Sequence, residues 1–219
     1  MNIKYLGHSA FEIESDKKFL VDPFLVCANN YKPENICDIF VTHGHSDHLG
    51  NAIELSKKFG APITAIFELA NFCISNGANS YGIGLGNWKE YTWGRAMAVP
   101  AFHSSSTPDG LYAGCPCGFL FEIDGQTIYH AGDTSLNSEM KVIGELYQPD
   151  ISILPIGGTY TMDIEHAVIA SGWLQSAIII PMHYNTFDAI KVNISDFERQ
   201  IRELGKVPVI MNIGESKTF

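Results

Sequence analysis

The sequence predicts a layered α/β sandwich, and three observations lead to that fold class. Apolar runs of strand length recur along the 219 residues. Segments with apolar residues at helical spacing, such as i, i+3 and i+7, lie between several of these runs. The strand-like runs also fall into two groups, one near the start of the chain and one in its middle and final thirds. Two β-rich groups with helices outside them are typical of a layered sandwich.

Composition restricts the class of protein further. Hydrophobic residues make up 46% of the chain and charged residues 17%, which excludes intrinsic disorder. The formal net charge is −10, and an acidic surface repels phosphate backbones, so we expect no nucleic-acid partner. The longest apolar runs have the length of strands, so we expect no membrane partner either.

The sequence also indicates the domain organisation of the protein and its location in the cell. No linker, repeat or low-complexity tract interrupts the sequence, so we predict one domain over residues 1–219. Residues 1–5 are typical of a strand rather than of an export signal, and the five cysteines are an odd number. We therefore expect a cytoplasmic protein without structural disulfides.

The first third of the chain alternates between strands and helices. Its opening segment, residues 3–21, is predicted to form two or three short strands, because polar and glycine-containing breaks interrupt the apolar pattern. Gly77 is well suited to follow the end of a helix. Further strands are predicted at residues 38–42 and 62–66, and helices at residues 51–59 and 68–76.

Turn and capping patterns mark the rest of the chain. The dipeptide Asp124-Gly125 predicts a tight hairpin between two strands. Ser195 and Glu198 form a capping-box pattern, which predicts that the last helix begins there. Strands are predicted at residues 96–99, 118–123, 127–130, 151–155, 177–181 and 207–210, and a further helix at residues 165–174.

One segment carries most of the chemistry, and it directly follows the strand predicted at residues 38–42. It contains His43, His45, Asp47 and His48, whose side chains can all bind metal ions. In an extended chain His43 and His45 point the same way, whereas Asp47 and His48 lie where the chain turns toward a helix. Imidazole and carboxylate together favour Zn²⁺, Mn²⁺ or iron over Ca²⁺ and Mg²⁺. The segment therefore predicts ligands for two adjacent ions.

Three more candidate ligands follow apolar strands in the same manner. They are His103, Asp133 and His183, each placed just after a predicted strand. Because α/β proteins form their clefts at the edge where strands end, we expect these residues to meet the ligands of the first segment there.

The whole pattern resembles the metallo-β-lactamase superfamily, and the resemblance spans nearly the whole chain. It rests on the His-x-His-x-Asp-His run at residues 43–48, the lone His103, the triplet Gly132-Asp133-Thr134 and the final His183. Three further segments are similar to a compact branch of metal-dependent hydrolases related to ascorbate-6-phosphate lactonase: Leu6-Gly7-His8-Ser9-Ala10-Phe11, Val21-Asp22-Pro23-Phe24 and Pro181-Met182-His183-Tyr184-Asn185-Thr186.

The resemblance implies a four-layer αββα sandwich with a binuclear metal centre between its sheets. It implies two divalent transition-metal ions, of which zinc is favoured and manganese, nickel and iron are alternatives. It implies that metal-bound hydroxide cleaves an ester, lactone or phosphodiester bond of a small molecule. The ligands that it implies are His43, His45 and His103 for one ion, Asp47, His48 and His183 for the other, and Asp133 for both.

Two catalytic residues are predicted, Asp47 and His8. Gly7 permits a sharp bend, and the two residues after His8 are small, so the imidazole is expected to project freely from the turn. Its place in a segment similar to the hydrolase branch implies that it faces the cleft, where it would contact the substrate or protonate its leaving group. The alternative is a histidine that only satisfies the backbone groups of its turn.

Residues close to the predicted ligands have two interpretations each. The resemblance implies that Asp22 orients the metal-binding loop, whereas a plain turn residue is the alternative. His130 either supports the site or is simply packed and hydrogen-bonded. Thr134 either hydrogen-bonds near Asp133 or only starts the turn.

The remaining candidates are aromatic residues, a histidine and a cysteine pair. Tyr160 and Tyr184 are interpreted as cleft residues or, alternatively, as packing residues. His166 is predicted to lie at the surface. Cys115 and Cys117 have no partner pair at zinc-finger spacing, so we interpret them as structural.

Two other functions within the superfamily stay open. The di-iron redox branch has an acidic residue where this chain has His45, which counts against redox chemistry. A nucleic-acid phosphodiesterase such as ribonuclease Z uses a long basic arm that this sequence lacks. A small-molecule substrate is therefore the expected partner, and homo-oligomerisation is left open.

Overall fold

The computed structural model describes residues 1–219 and contains two seven-stranded sheets. The strands are β1 (Asn2–Gly7), β2 (Ala10–Glu14), β3 (Lys18–Val21), β4 (Ile36–Phe40), β5 (Ile63–Ile66), β6 (Ser80–Ile83), β7 (Lys89–Tyr91), β8 (Gly94–Pro100), β9 (Cys117–Ile123), β10 (Gln126–His130), β11 (Ile151–Pro155), β12 (Ile178–Met182), β13 (Val207–Pro208) and β14 (Ser216–Thr218). The α-helices are α1 (Ser46–Leu49), α2 (Ala52–Phe59), α3 (Phe67–Ser75), α4 (Glu139–Tyr147), α5 (Ile164–Leu174) and α6 (Ile194–Glu203), and short 3-10 helices cover Leu25–Cys27 and Asp188–Ile190.

Each sheet combines antiparallel and parallel strands. The first has the order β14-β1-β2-β3-β4-β5-β6, and the second has the order β13-β12-β11-β10-β9-β8-β7. In the first sheet β3 to β6 are parallel, and in the second β10 to β13 are parallel. The pairings also make β1 parallel to β3, and β8 parallel to β10, since each couple is separated by one antiparallel neighbour. The carboxyl ends of β1, β3 and β4, and likewise those of β8, β10 and β12, therefore share an edge in their sheet.

Alternation of side chains along the strands separates two apolar cores. Phe19 and Phe40 face the space between the sheets, where they contact Phe121 of the second sheet. Their neighbours Leu20 and Ile39 point to the other side of the first sheet and pack with residues of α2 and α3. Helices α4, α5 and α6 contribute to the larger core on the second sheet. The result is the predicted four-layer αββα sandwich.

Most elements predicted from the sequence are present with small shifts at their ends. The opening segment forms three strands, and Gly77 follows α3 with a positive φ of 82°. Asp124 and Gly125 both have positive φ and connect β9 to β10 as predicted. The capping box is wrong, because α6 begins at Ile194, one residue before Ser195. Asn193 is the N-cap instead, and its side chain accepts a hydrogen bond from the Ser195 amide.

Three strands, β6, β7 and β14, and two α-helices, α1 and α4, were not predicted. The three strands lie at the ends of the sheets, and their residues are half-buried or exposed. Such strands lack the continuous apolar run that identifies a central strand. None of the helices is long and apolar enough to span a membrane.

The contact between α4 and α5 provides a test of the packing. A Cβ at Gly144 of α4 would collide with the backbone carbonyl of Trp173, whereas a Cβ at Gly172 of α5 would meet nothing within 4 Å. We expect Gly144→Ala to destabilise the protein by about 1–3 kcal/mol through overpacking. Gly172→Ala should instead stabilise it by about 0.5–1 kcal/mol, because alanine is the better helix residue. Urea unfolding of both variants checks this, and equal effects would contradict the close helix approach.

Candidate metal centre

The predicted ligands converge at one edge of the sandwich. His43 follows β4, His103 follows β8, Asp133 follows β10 and His183 follows β12. Asp47 and His48 lie in α1, the single helical turn that begins directly after His45. The two sheets thus contribute to one site, as the sequence predicts.

Three histidines form the first group of potential ligands. The ring nitrogens of His43, His45 and His103 lie within 4.8 Å of one another. His43 presents Nε2 and His45 presents Nδ1, and these two atoms are 2.9 Å apart. Burial lowers the pKa of all three imidazoles, most strongly that of His43. The neutral form, which is the one that binds metals, is therefore favoured.

A second group lies beside the first. Asp47, His48 and His183 each offer a ligand atom within 4.8 Å of the others, and His8 belongs to the same group. His48 and His183 are buried, whereas the Asp47 side chain retains 28% of its exposure. A mixed set of imidazoles and a carboxylate is typical of transition-metal sites.

Asp133 lies between the two groups. Its Oδ1 is 3.2 Å from His48 Nε2, and its Oδ2 is 3.0 Å from His183 Nε2 and 3.5 Å from His103 Nε2. Although His48 Nε2 and Asp133 Oδ1 are close, neither has a hydrogen-bond partner, and both are buried. Buried polar atoms are rarely left unpaired, and a cation between them would satisfy both. The residues therefore fit a bound metal.

The electrostatics of His48 support the same conclusion. Burial alone would lower the pKa of His48, but the charges of Asp133 and Asp22 raise it well above its ordinary value. The two buried carboxylates thus favour positive charge at His48. A metal ion bound between them would supply that positive charge, because metal binding displaces protons from its ligands.

Asp22 holds two of the histidines through hydrogen bonds. It accepts bonds from the Thr42 amide at 2.8 Å, from the Thr42 hydroxyl at 2.7 Å and from His48 Nδ1 at 2.7 Å. Since the Thr42 hydroxyl donates to Asp22, it accepts from His43 Nδ1, 3.0 Å away. In His43 and His48 the Nδ1 atom therefore carries the proton, and the Nε2 lone pair faces the centre of the cluster, where it can bind a metal ion. The plain-turn interpretation of Asp22 is therefore wrong, and the orienting interpretation agrees with the contacts.

His8 lies in the cluster, on the cleft side that the sequence implies, but its side chain is enclosed. The expectation of a freely projecting imidazole is wrong, because the side chain is completely buried. Its Nε2 is 3.1 Å from Asp47 Oδ2, and its Nδ1 is 2.6 Å from the Thr186 hydroxyl. The left-handed backbone of the turn, with φ of 100° at Gly7 and 58° at His8, directs the ring inward rather than into solvent.

Strained backbone concentrates around the cluster. Nine non-glycine residues have positive φ, and four of them lie in loops, hairpins or helix ends elsewhere. The other five are His8, Asp22, Thr159, His183 and Asn185, with φ between 45° and 58°. Left-handed backbone at non-glycine residues, above all at a β-branched threonine, clusters at functional sites.

A cavity of about 260 Å³ opens onto the candidate ligands. Tyr160 and Ser104 line it together with five of the ligand residues, and the Ser104 hydroxyl is 3.4 Å from His45 Nε2. Tyr160 is thus a cleft residue, whereas Tyr184 lines a neighbouring cavity that includes Thr186. The sequence analysis assigned no role to Ser104 or Thr186, since their contacts depend on the fold.

The loop after His103 packs tightly on residues 43–45. The Gly44 amide donates a hydrogen bond to the Ser105 hydroxyl, 3.2 Å away, and a Cβ at Gly44 would lie 2.5 Å from that of Ala113. In the sequence, the glycine between His43 and His45 is the one feature that indicates this close approach of the two loops. Thr134 accepts a bond from the Phe102 amide at 3.0 Å, so it joins the strand that leads to His103 to the turn of Asp133.

The remaining candidates lie outside the cluster. His166 is exposed and pairs with Asp163, as predicted for a surface residue. Cys115 is exposed and Cys117 is buried, and both are free thiols. The Cys117 amide donates to the Thr42 carbonyl, so this cysteine joins the two sheets near the site and has the structural role that the sequence predicts.

A four-layer sandwich with this histidine and aspartate cluster defines the class of metallo-hydrolases. The beta-lactamase superfamily domain model matches residues 2–183. A UPF0173 metal-dependent hydrolase from Staphylothermus marinus is 44% identical over 99% of this chain and 98% of its own, and one from Thermoplasma volcanium is 42% identical over 98% of both. Igni18, a metallo hydrolase from Ignicoccus hospitalis, superposes with a TM-score of 0.91 at 35% identity over 100% of this chain and 97% of its own.

The chain belongs to the beta-lactamase superfamily, and within it to the enzymes named metal-dependent hydrolases. The family and the fold class predicted from the sequence are thereby confirmed. The relation to ascorbate-6-phosphate lactonase stays a prediction.

Proposed function

We propose that this protein binds two divalent transition-metal ions and hydrolyses an ester, lactone or phosphodiester bond of a small molecule. The observation that carries the proposal is the position of Asp133 between two groups of ligand-type side chains. Its Oδ2 lies near His103 of the first group and His183 of the second, and its Oδ1 lies near His48, so this carboxylate is suited to join two ions. Seven donors shared by two ions would leave positions for water and substrate.

The proposed ligands follow the two groups. His43, His45 and His103 would hold one ion, Asp47, His48 and His183 would hold the other, and Asp133 would contact both. Nitrogen-rich sets with carboxylates suit zinc, with manganese, nickel and iron as the alternatives. When bound, such a pair of ions supplies Lewis-acid polarisation of the scissile bond and a water acidic enough to attack near neutral pH.

The chain's own residues would orient and enclose the reactants. Asp22 holds His48 directly, and His43 through the Thr42 hydroxyl, in the tautomers that metal binding requires. His8 holds the Asp47 carboxylate through its Nε2 contact. We propose that His8 and Asp47 act as a pair, in which His8 fixes the direction of the carboxylate and Asp47 faces the cavity. Ser104 and Tyr160 line the same cavity with hydroxyl groups suited to bind a polar substrate.

The size of the site and the net charge of the chain support a small substrate. A volume of about 260 Å³ accommodates a compact molecule, and a formal net charge of −10 disfavours a long polyanion. A soluble location in the cytoplasm belongs to the same proposal and agrees with five free cysteines.

Hydrolytic assays of metal-loaded protein test the proposal. Zinc-, manganese-, nickel- and iron-loaded samples would be presented with lactone, phosphodiester and thioester substrates. We expect turnover of at least one class without a stoichiometric burst, because the site provides no nucleophile elbow. His166→Ala, which changes a histidine outside the cluster, should leave turnover unchanged. A trapped acyl- or phosphoryl-enzyme, or an oxygen-consuming reaction that requires iron, would contradict the proposal.

A further inference from the structure

His130 is a buried histidine that offers no ligand atom to either group. It ends β10, three residues before Asp133, and its side chain is completely enclosed. Its Nε2 lies 3.1 Å from the Ser9 carbonyl, and the Gly132 amide donates to its Nδ1 at 3.3 Å. One ring therefore joins a turn of the first sheet to a turn of the second.

These contacts determine a single tautomer. An amide can only donate, so Nδ1 of His130 must carry the lone pair that accepts from Gly132. The proton then resides on Nε2, which donates it to the Ser9 carbonyl. Both nitrogens are satisfied by backbone groups, and a second proton on the ring would break the bond to Gly132. Burial lowers the pKa of His130, which agrees with a neutral ring.

The Ser9 carbonyl belongs to the turn that carries His8. That turn is also held by the second sheet, since the His183 amide donates to the His8 carbonyl at 2.8 Å. Gly7 pairs with Ala10 across the hairpin, and Gly7 and His8 both have positive φ. The bonds from His183 and His130 hold two successive carbonyls of this turn, those of His8 and Ser9, against the second sheet.

The Gly132 amide belongs to the turn that carries Asp133. Gly132 has a φ of 61°, and a Cβ there would lie 2.6 Å from the Cys117 carbonyl, so only glycine fits. The hydrogen bond to His130 Nδ1 therefore holds the amide of a residue whose backbone conformation only glycine can adopt there. A shift of this amide would move the neighbouring carboxylate relative to His48 and His183.

We propose that His130 is a positioning residue of the metal centre, which sets the spacing between the His8–Asp47 pair and Asp133 by bonding to the backbone beside each. The inference rests on the proposed function, because it concerns the affinity of the same cluster for metal. Supporting hydrogen bonds around metal ligands commonly change metal affinity by about 10–100-fold when they are removed. A purely structural histidine would change the stability of the fold and leave the metal affinity alone.

Zinc binding by the full chain tests this inference. The variants are His130→Phe, which keeps a ring of similar size, His130→Gln, which retains one donor and one acceptor, and the control Phe121→Leu, a core change in the same sheet. Chelator competition gives the zinc affinity, and circular dichroism gives the unfolding midpoint of the metal-free protein. We expect His130→Phe to lose about 10–100-fold in zinc affinity and His130→Gln to recover part of it. Phe121→Leu should lower the midpoint without changing the affinity.

Each alternative outcome is distinguishable. Wild-type protein that binds no zinc would overturn the proposed function, and this inference with it. Wild-type zinc affinity in His130→Phe would overturn this inference alone, and so would a loss of affinity in Phe121→Leu that matches its loss of stability. If neither His130 variant folds, zinc titration of wild-type protein with ¹⁵N-labelled histidine decides. The His130 ring should show the Nε2-protonated tautomer and shift as zinc binds, whereas signals that zinc leaves unchanged would overturn the inference.

Discussion

Replacing Asp133 by alanine is expected to remove at least one metal ion and to lower turnover by about 10³-fold or more. Asp133 is the one carboxylate that lies within 3.5 Å of ring nitrogens of His48, His103 and His183. Without it, neither group of ligands has a shared anion to hold two cations close together. Lewis-acid and nucleophile-forming roles of paired ions are worth several kcal/mol, which corresponds to the stated loss of rate.

Elemental analysis of remetallated protein measures the metal content, and turnover is determined on the same preparation. Wild-type protein should approach two equivalents per chain. Asp16→Ala, which removes an exposed carboxylate between β2 and β3, serves as the control and should match wild type. A ceiling of one equivalent that Asp133→Ala leaves unaltered would refute the binuclear proposal.

The fold could be predicted where strands are buried and continuous. The strands β4, β11 and β12 are largely buried, so their apolar runs are visible in the sequence. Edge strands such as β7 are half-exposed and carry no such run. Helix α4 was missed because Gly144 in its interior lowers its helical propensity. The close contact with α5 stabilises the helix despite that glycine.

The candidate site was predicted to the extent that its residues follow strands. Strand ends place His43, His103, Asp133 and His183 at one edge whatever the details of the loops. Hydrogen bonds between distant residues were not predictable. The contact between His8 and Thr186 joins positions 178 residues apart, and no local sequence pattern predicts it.

Burial of His8 also shows why side-chain direction was harder to predict than position. Small neighbours suggested an open turn, but they instead allow the second sheet to approach. The His183 ring lies 4.1 Å from that of His8, centroid to centroid, and the Phe187 ring lies 5.1 Å away. Small residues in a turn indicate close packing as readily as they indicate exposure, and only the partner sheet distinguishes the two.

Replacing His8 by alanine is expected to keep both metal ions and to lower turnover by about 10²-fold. Seven other residues supply the proposed ligands, so we expect that His8 is not needed to hold metal. Its Nε2 contact with Asp47 Oδ2 fixes a carboxylate that faces the cavity, and a small misplacement of a reacting group can cost about this factor. The same factor applies if His8 passes a proton to the leaving group through Asp47.

Variants at both ends of this contact separate the roles of His8. Thr186→Val removes the hydroxyl 2.6 Å from His8 Nδ1 while keeping the imidazole, so it should reduce turnover less than His8→Ala does. His166→Ala, at an exposed histidine, should have no effect. Metal content and turnover must be measured on one preparation of each variant. Wild-type turnover in His8→Ala would remove His8 from the mechanism. Loss of an ion would instead make His8 a ligand, because its ring nitrogen already lies within 4.8 Å of the donor atoms of Asp47, His48 and His183.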